Sequence, residues 1–444
     1  MGNSQSRTAH RICTADSASE RVPGSSGRRG RAQDVIVLIC NAGSSSFKFS
    51  LYEADGEQLL AGGSIDWTTK PTVLVYKRAG EPEIRQNLSL QSHADAGTRI
   101  LTDLMAGPNP ALRSPSEVKA VAHRVVHGGS RYTAAVRITP EVKQAIRELA
   151  ELAPLHNPAS LEVIDVAEGF LPEVPQVAAF DTAFHASLSE AARTYAVPRK
   201  WTREWGVRRY GFHGLSHSYC AARAAEMIGR KNQRLIIAHL GNGASVCAVC
   251  DGVSVDTSMG FTPQEGLVMG TRSGSVDPGI PIYLLRHKGL DVEKLDHALS
   301  FESGLLGVSG VSADMRQVLA AVRENPDARL AIDVYIHRLR QTIGAMAATL
   351  GGVDGLVFTG GVGEHAWQIR EWACQNLGYL GLQLDPAANA ACKPDADVSS
   401  AASQARVLVI ATNEDLTILR ETKRLFSSTG AGGPGHGARQ MAVP

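Results

Sequence analysis

From residue 35 the chain reads as an apolar run, VIVLIC, then a small polar turn, Asn41-Ala42-Gly43-Ser44-Ser45-Ser46, and then strict alternation. Phe47, Phe49 and Leu51 fall on one face of the second run, and Lys48, Ser50 and Tyr52 on the other. Alternation of period two beyond a Gly/Ser turn predicts a β-hairpin. A phosphate loop of the GxxxxGK[ST] kind would open into a helix instead. Small residues in a tight turn still let backbone amides close on an anion.

The same order of elements recurs about half a chain later. RLIIAHL, residues 234–240, meets a turn at Gly241-Asn242-Gly243, continues as ASVCAVC, and turns again at Asp251-Gly252. Identity between the two segments is slight, but the repeated order predicts a duplicated unit. Residues 327–350 carry apolar positions at helical spacing and stop at Gly351-Gly352. A buried strand, VDGLVFT, follows, with Gly360, Gly361 and Gly363 leading into another helix. Near the end, NEDLTILRETKRLFSS has the apolar spacing of a docking helix.

Composition narrows the function classes. A chain of 444 residues exceeds one small core, and 43% hydrophobic with 20% charged residues is ordinary for a globular protein. Lys+Arg 45 against Asp+Glu 44 leaves no global field for nucleic acid or an anionic membrane, so anion binding must come from local placement. No apolar run reaches the roughly 20 residues of a membrane helix. The seven cysteines are scattered, which predicts free thiols and a cytoplasmic protein. Cys247 and Cys250 match C-x-x-C, but on a strand they point to opposite faces, which argues against redox or zinc chemistry. Residues 1–33 lack periodicity and predict a disordered extension, and 429–444 a flexible tail.

Between the turns lie dense polar clusters: HRVVHGG around Arg124, LAPLHNP around His156, FDTAFH with Asp181, YGFHGLSH with His213 and His217, and DTSMGFTPQEGLVMGTRSGSVDPG with Arg272. His213 and His217 are four apart, but Gly214 stands where HExxH needs glutamate, which discounts zinc. Two arginines and a histidine suit phosphoryl transfer, where catalysis is mostly positioning plus cationic stabilisation. Two other classes stay open on the residues alone. An alcohol kinase would use Asp181 as general base, and a partner-driven ATPase would turn over without an acid.

CNAGSSSFK, HRVVHGG, LAPLHNP, FDTAFH, YGFHGLSH, HLGNGAS, TSMGFTPQEGL, FTGGVGEH and TNED occur in order from about residue 36 to 425. This series resembles the acetate kinase family, within the superfamily of sugar kinases, actin and heat-shock chaperone ATPases. The resemblance implies an α/β fold of two duplicated actin/ribonuclease-H-like domains with a nucleotide cleft between them. It implies Mg2+-dependent, reversible, in-line transfer from ATP to acetate, also to propionate, with Mn2+ able to replace Mg2+. It further implies a homodimer whose partners are a small carboxylate and ATP, not nucleic acid or membrane.

Carried over residue by residue, the resemblance puts Asn41, Arg124, Asp181, His213 and Arg272 at the chemistry, with Asn41 and Glu414 at the metal. Arg124, Val126, Leu155, His156, Asn157, Phe212 and Pro263 would surround the acyl group. Ser44, Ser46, Lys48, His239, Leu240, Gly241, Asn242 and Gly243 would meet the phosphates. Asp314, Met315, Arg316, Gly361, Val362 and Gly363 would lie by the adenosine. His365 stands where the family has Asn, and Met315 where it often has an aromatic residue. The expected division is an acyl-side domain over 34–181 completed by a helix at 414–428, and a nucleotide-side domain over 182–413.

Overall fold

The computed structural model describes residues 35–429, apart from 44–45, 67–70, 91, 107–109, 155 and 231–232. The extension expected over 1–33 and the tail beyond 429 lie outside the described residues, as do Ser44 and Leu155.

Both alternating stretches fold as hairpins. β1 (Ile36–Ala42) pairs antiparallel with β2 (Ser46–Glu53), setting Asn41 opposite Lys48 and Ala42 opposite Phe47. The turn is closed by Gly43 N donating to Ser46 O at 2.7 Å. The first sheet continues through β3 (Gln58–Asp66), β4 (Thr72–Arg78), β5 (Ile84–Leu88), β6 (Val118–Val125), β7 (Val136–Arg137) and β8 (Gln176–Phe180), in the order β5-β4-β3-β2-β1-β6-β8-β7. The second sheet holds β9 (Arg234–Leu240), β10 (Ala244–Cys250), β11 (Val253–Thr257), β12 (Gly355–Thr359), β13 (Ala396–Asp397) and β14 (Arg406–Val409), ordered β11-β10-β9-β12-β14-β13.

The two orders describe one connectivity. In each sheet a three-stranded antiparallel meander leads to two parallel neighbours and a short antiparallel edge strand. β4 and β5 are additions to the first sheet alone. The fold is thus α/β with a duplicated unit, and the repeated order of elements in the sequence reflects a repeated sheet.

Period-two alternation sorts the first sheet's side chains into two cores. Leu38, Phe47, Phe49 and Leu51 pack with Ile100 and Leu104 of the helix His93–Leu104 and with Val163 of the helix Asn157–Phe170. On the other face Val37, Ile39, Tyr52, Ala120 and Val177 meet Leu215 of the helix Gly214–Ile228 and Ile418 and Leu419 of the helix Glu414–Thr429. In the second sheet Ile236, Ala238, Val246 and Phe358 pack on Ile332, Leu339 and Ile343 of the long helix Pro326–Leu350. Its opposite face puts Ile237, Cys247 and Val357 against Cys220, Ala221 and Ala224 of Gly214–Ile228. That helix therefore touches both sheets.

Candidate functional site

Three strand ends carry the first group of polar side chains. Asn41 stands near the end of β1, Arg124 near the end of β6, and Asp181 one residue beyond β8. These strands run parallel, so their carboxyl ends lie side by side, where open α/β sheets bind ligands. Arg124 Nε donates to Asp181 Oδ1 at 3.0 Å and Nη2 to Oδ2 at 2.5 Å. Its Nη1 donates to Asn41 Oδ1 at 3.1 Å, and Asn41 Nδ2 donates to Glu414 Oε2 at 3.2 Å. The bonds fix the orientation of the Asn41 amide, and Glu414, first residue of its helix, closes the network 3.8 Å from Arg124 Nε.

The charges follow from this geometry. Burial pushes the Asp181 carboxyl up while Arg124 pulls it down. The fork-on-carboxylate bond keeps the pair ionised. Burial also opposes ionisation of Glu414, but Arg124, His239, Lys48 and the Asn41 bond outweigh it and hold its pKa below the usual value. Exposed Lys48 on β2 and His239 on β9 are thus within electrostatic reach of one carboxylate. The two hairpins converge there.

The second group is stapled to the first. Gly214 N donates to the Asp181 carbonyl oxygen at 3.0 Å, and a Cβ at Gly214 would lie 2.0 Å from that oxygen, so only glycine fits. His213 precedes it at φ 56° and ψ 24°, a left-handed conformation that costs a histidine energy. Ser245 Oγ lies 2.9 Å from His213 Nδ1 and 2.8 Å from His217 Nε2. The His239 ring stacks on His213 with centroids 4.3 Å apart, and its Nδ1 is 2.8 Å from Ser216 Oγ. Burial, the neighbouring histidines, Arg124 and Arg272 all take His213 well below its usual pKa, so its ring is neutral.

Arg272 is different from Arg124. Its Nη1 donates to the Pro263 carbonyl at 2.9 Å and touches Met269 Sδ at 3.7 Å. No carboxylate faces it among the described residues, and burial alone acts on its pKa, lowering it. An arginine stays charged under such conditions. A Cβ on Gly243 would stand 3.4 Å from His213 Nε2 and 3.5 Å from Arg272 Nη1, so the glycine leaves both tips room for a ligand.

Beside these lie Val126 and Phe212, both buried, and half-buried Pro263. His156 is held neutral at about 4 by burial and by Arg124 and Arg272, which places it near both cations. Asn157 departs from the expected substrate contact. Its Oδ1 accepts from His127 N at 3.2 Å, and its Nδ2 donates to the carbonyls of His127 and Ile146. With the side chain fully buried, Asn157 holds the HRVVHGG segment in place rather than facing a ligand.

The nucleotide-side residues divide likewise. Gly241 N donates to Gly243 O at 3.0 Å, closing the turn in which Leu240 is buried and Asn242 and Gly243 sit at the tip. In the other turn, Ser46 is half-buried. Asp314 caps the helix Met315–Ala321 and grips exposed Arg316, Nη2 to Oδ2, at 2.6 Å. Met315 is 4% exposed, with its side chain packed in the core between the second sheet and the helix Pro326–Leu350. Gly361 is open, while Val362 and Gly363 turn inward within the short helix Gly360–His365.

Comparison with known proteins identifies the family. Residues 36–420 match the model of the acetokinase family. The chain belongs to that family. The acetate kinase of Gloeobacter violaceus is 51% identical over 397 residues, covering 87% of this chain and 98% of the relative. The crystal structure of Porphyromonas gingivalis acetate kinase superposes with TM-score 0.81 at 40% identity, covering 88% of this chain and all of that one. A propionate kinase from Francisella tularensis gives TM-score 0.81 at 39% identity with the same coverage.

Within this acetokinase-family site, sequence reasoning missed several supports. Ser50 donates to half-buried Asp415 at 2.5 Å, and Ser216 also meets Thr412 Oγ1 at 2.7 Å. Ser245 between two histidines was legible only as part of HLGNGAS. Strand parity gave one usable signal: Ser50 shares the face of Lys48, and that face leads to the carboxylates after Asn413.

Proposed function

We propose that the protein is an acetate kinase, moving the γ-phosphoryl group of ATP reversibly to acetate and, in the same pocket, to propionate. The observation that carries this reading is Arg272, a largely buried guanidinium with no acidic partner among the described residues, beside neutral His213 and a second arginine. Such a cation calls for an anionic ligand. A short carboxylic acid has a pKa close to that of glutamate, about 4.3, so it arrives already nucleophilic. No general base is needed. Asp181 supports this, because both its oxygens already accept from Arg124, which disfavours their taking a proton from an alcohol.

On this reading Val126, Phe212 and Pro263 receive the acyl methyl, and one extra methylene there is worth only about 1–3 kcal/mol, which suits both acids. Arg272 and Arg124 hold the acid and the transferring group in line, while His213 donates from Nε2 to an equatorial oxygen. The turns at Gly43–Ser46 and Gly241–Gly243, with Lys48 and His239, clamp the phosphates. Neutral His156 adds a donor without adding charge.

Among the described residues no three His, Cys, Asp or Glu side chains form a metal cluster. That suits Mg2+ carried in on nucleotide phosphates, which typically takes only one or two carboxylates from the protein. Glu414, ionised in the fold, and the Asn41 amide would hold it. When bound it neutralises phosphoryl oxygens, and Mn2+ would do the same.

Residues 34–181 with the helix 414–428 form the acyl side, and 182–413 the nucleotide side. The helix Gly279–His287 exposes Ile280, Ile282, Tyr283 and Leu285 and buries no residue, an apolar face that a homodimer would cover. The six described cysteines are free thiols, as expected in the cytoplasm. The test is acyl phosphate formation trapped as hydroxamate, with ATP and separate acetate, propionate and glycerol. Product with the acids alone supports the reading, and ATP consumption with no acyl phosphate overturns it.

A further inference from the structure

The hydroxyl of Ser245 lies between two imidazoles. On β10 it is fully buried, opposite His239 on β9. Its Oγ is 2.9 Å from His213 Nδ1 and 2.8 Å from His217 Nε2. A hydroxyl carries one proton and could accept from both rings, but among the described residues buried Ser245 has no third partner to take that proton, so it donates to one ring and accepts from the other. Two arrangements satisfy that rule. In the first, His217 Nε2–H donates to Ser245, and Ser245 donates to His213 Nδ1, leaving the His213 proton on Nε2. In the second, Ser245 donates to His217, and His213 carries its proton on Nδ1.

The burial of His217 separates them. Its Nδ1 is buried from solvent and has no hydrogen-bond partner among the described residues. The second arrangement would put an N–H there, and orphaned buried N–H groups are rarer than orphaned acceptors. The second arrangement would also aim a bare Nε2 lone pair of His213 at the space beside Gly243 and Arg272, where an anion is to bind. The first gives that anion a donor. A doubly protonated His213 would place a third cation beside Arg124 and Arg272 in a buried site, which their proximity resists.

We propose that His217 and Ser245 are positioning residues, which together fix His213 as its Nε2–H tautomer and aim that donor at the transferring phosphoryl group. The inference rests on the carboxylate-kinase reading for the identity of the acceptor, but not for the tautomer itself. The order is His217 Nε2–H to Ser245 Oγ, Ser245 O–H to His213 Nδ1, and His213 Nε2–H to substrate. No proton is transferred along it. Its effect is to remove the energy of choosing a tautomer from the moment of reaction.

The experiment is 15N NMR of the full-length protein labelled at histidine, with His213 signals assigned by comparison with His213→Asn. Steady-state rates of Ser245→Ala and Ser245→Thr accompany it. The expected wild-type spectrum shows His213 protonated on Nε2 only. In Ser245→Ala the tautomer mixes, and kcat falls roughly 10–100-fold, part of the 10²–10³ that one donor to developing charge is worth. KM values for acid and ATP stay within about twofold, since ground-state binding is untouched. Threonine keeps the hydroxyl and restores both the tautomer and kcat. A wild-type His213 protonated on Nδ1, or a Ser245→Ala protein with unchanged tautomer and kcat, would overturn the proposal. Should the alanine variant not fold, the wild-type spectrum decides alone. A wild-type protein that makes no acyl phosphate contradicts the carboxylate-kinase reading while leaving the tautomer result standing.

Discussion

Arg124 grips Asp181 through two parallel bonds, 3.0 Å and 2.5 Å long, and that pairing divides the work of the two arginines. Arg124 stays charged but is paired with Asp181 and fixed within the first sheet's strand ends. Arg272 keeps its charge for a ligand.

Replacing Arg272 with alanine should therefore lower kcat/KM for the acid by about 10²–10³ with little change in stability, because loss of the Pro263 bond is offset by removal of a buried cation that has no counter-ion among the described residues. Lysine should recover only part of the activity, since a compact ammonium cannot reproduce the planar fork. Steady-state kinetics beside thermal unfolding checks both points. A marked drop in melting temperature would make Arg272 chiefly a structural tie to the Pro263 loop instead.

Asp181→Asn should behave oppositely. It strands Arg124 without its counter-charge, and breaking a buried pair costs about 3–5 kcal/mol. Denaturant unfolding should show that loss together with lost activity. An Asp181→Asn protein of normal stability but no turnover would fit a free general base, and so an alcohol acceptor.

Much of this arrangement was legible in the sequence. The alternation of Phe47, Phe49 and Leu51 fixes a strand and its buried face, because period two leaves no other choice. The repeat of strand, glycine turn and strand at Gly43 and Gly241 announced the shared connectivity of the two sheets. The helix expected over 327–350 runs Pro326–Leu350 and ends on Gly351 at φ 64°. What local pattern could not give was the direction of side chains whose partners are remote. Asn157 looks like a ligand contact in LAPLHNP, yet backbone groups of His127 and Ile146 consume its amide. Met315 follows a capping aspartate on the surface and still turns into the core. Ser50 and Asp415 meet across 365 positions of sequence, a separation no periodicity reports.

Stability should fall in mild acid through buried histidines. His123, His127, His156, His185 and His239 each titrate at about 4 in the fold, chiefly because burial opposes their charge. In the unfolded chain they take protons near 6.5. Between 6.5 and 4 the unfolded state binds more protons, so stability drops as pH falls through that window and is lowest below it. The urea midpoint should be lower at pH 5.5 than at pH 7.5. Equal midpoints would mean these rings have polar outlets absent from the structure.

Glu421 should show the reverse trend. It lines a 1040 Å³ cavity with Arg424, Arg230 and Phe184, and burial raises its carboxyl to about 7, with Arg424 opposing and Asp181 adding to the rise. Its contribution is complete below about 4.5 and is lost as pH rises through 7. Glu421→Gln should thus stabilise the protein by about 2–3 kcal/mol at pH 8 and little at pH 4.5. A variant equally stable at both, relative to wild type, would contradict the buried-acid assignment.

A charged residue on the helix Gly279–His287 probes assembly. Ile282→Asp places a carboxylate in the exposed apolar face, and if the proposed homodimer forms through it, light scattering after gel filtration should show a dimer for the parent and a monomer for the variant. A variant that stays dimeric puts the interface elsewhere.

The central claim is that the acceptor is a carboxylate. The most direct measurement follows ADP and acyl phosphate in the same reaction, with ATP and Mg2+, in the presence and absence of acetate. The account predicts negligible ADP without acetate, and one acetyl phosphate for each ADP when acetate is added. ADP released at the same rate without acetate, or with glycerol in its place and no acyl phosphate formed, would contradict it.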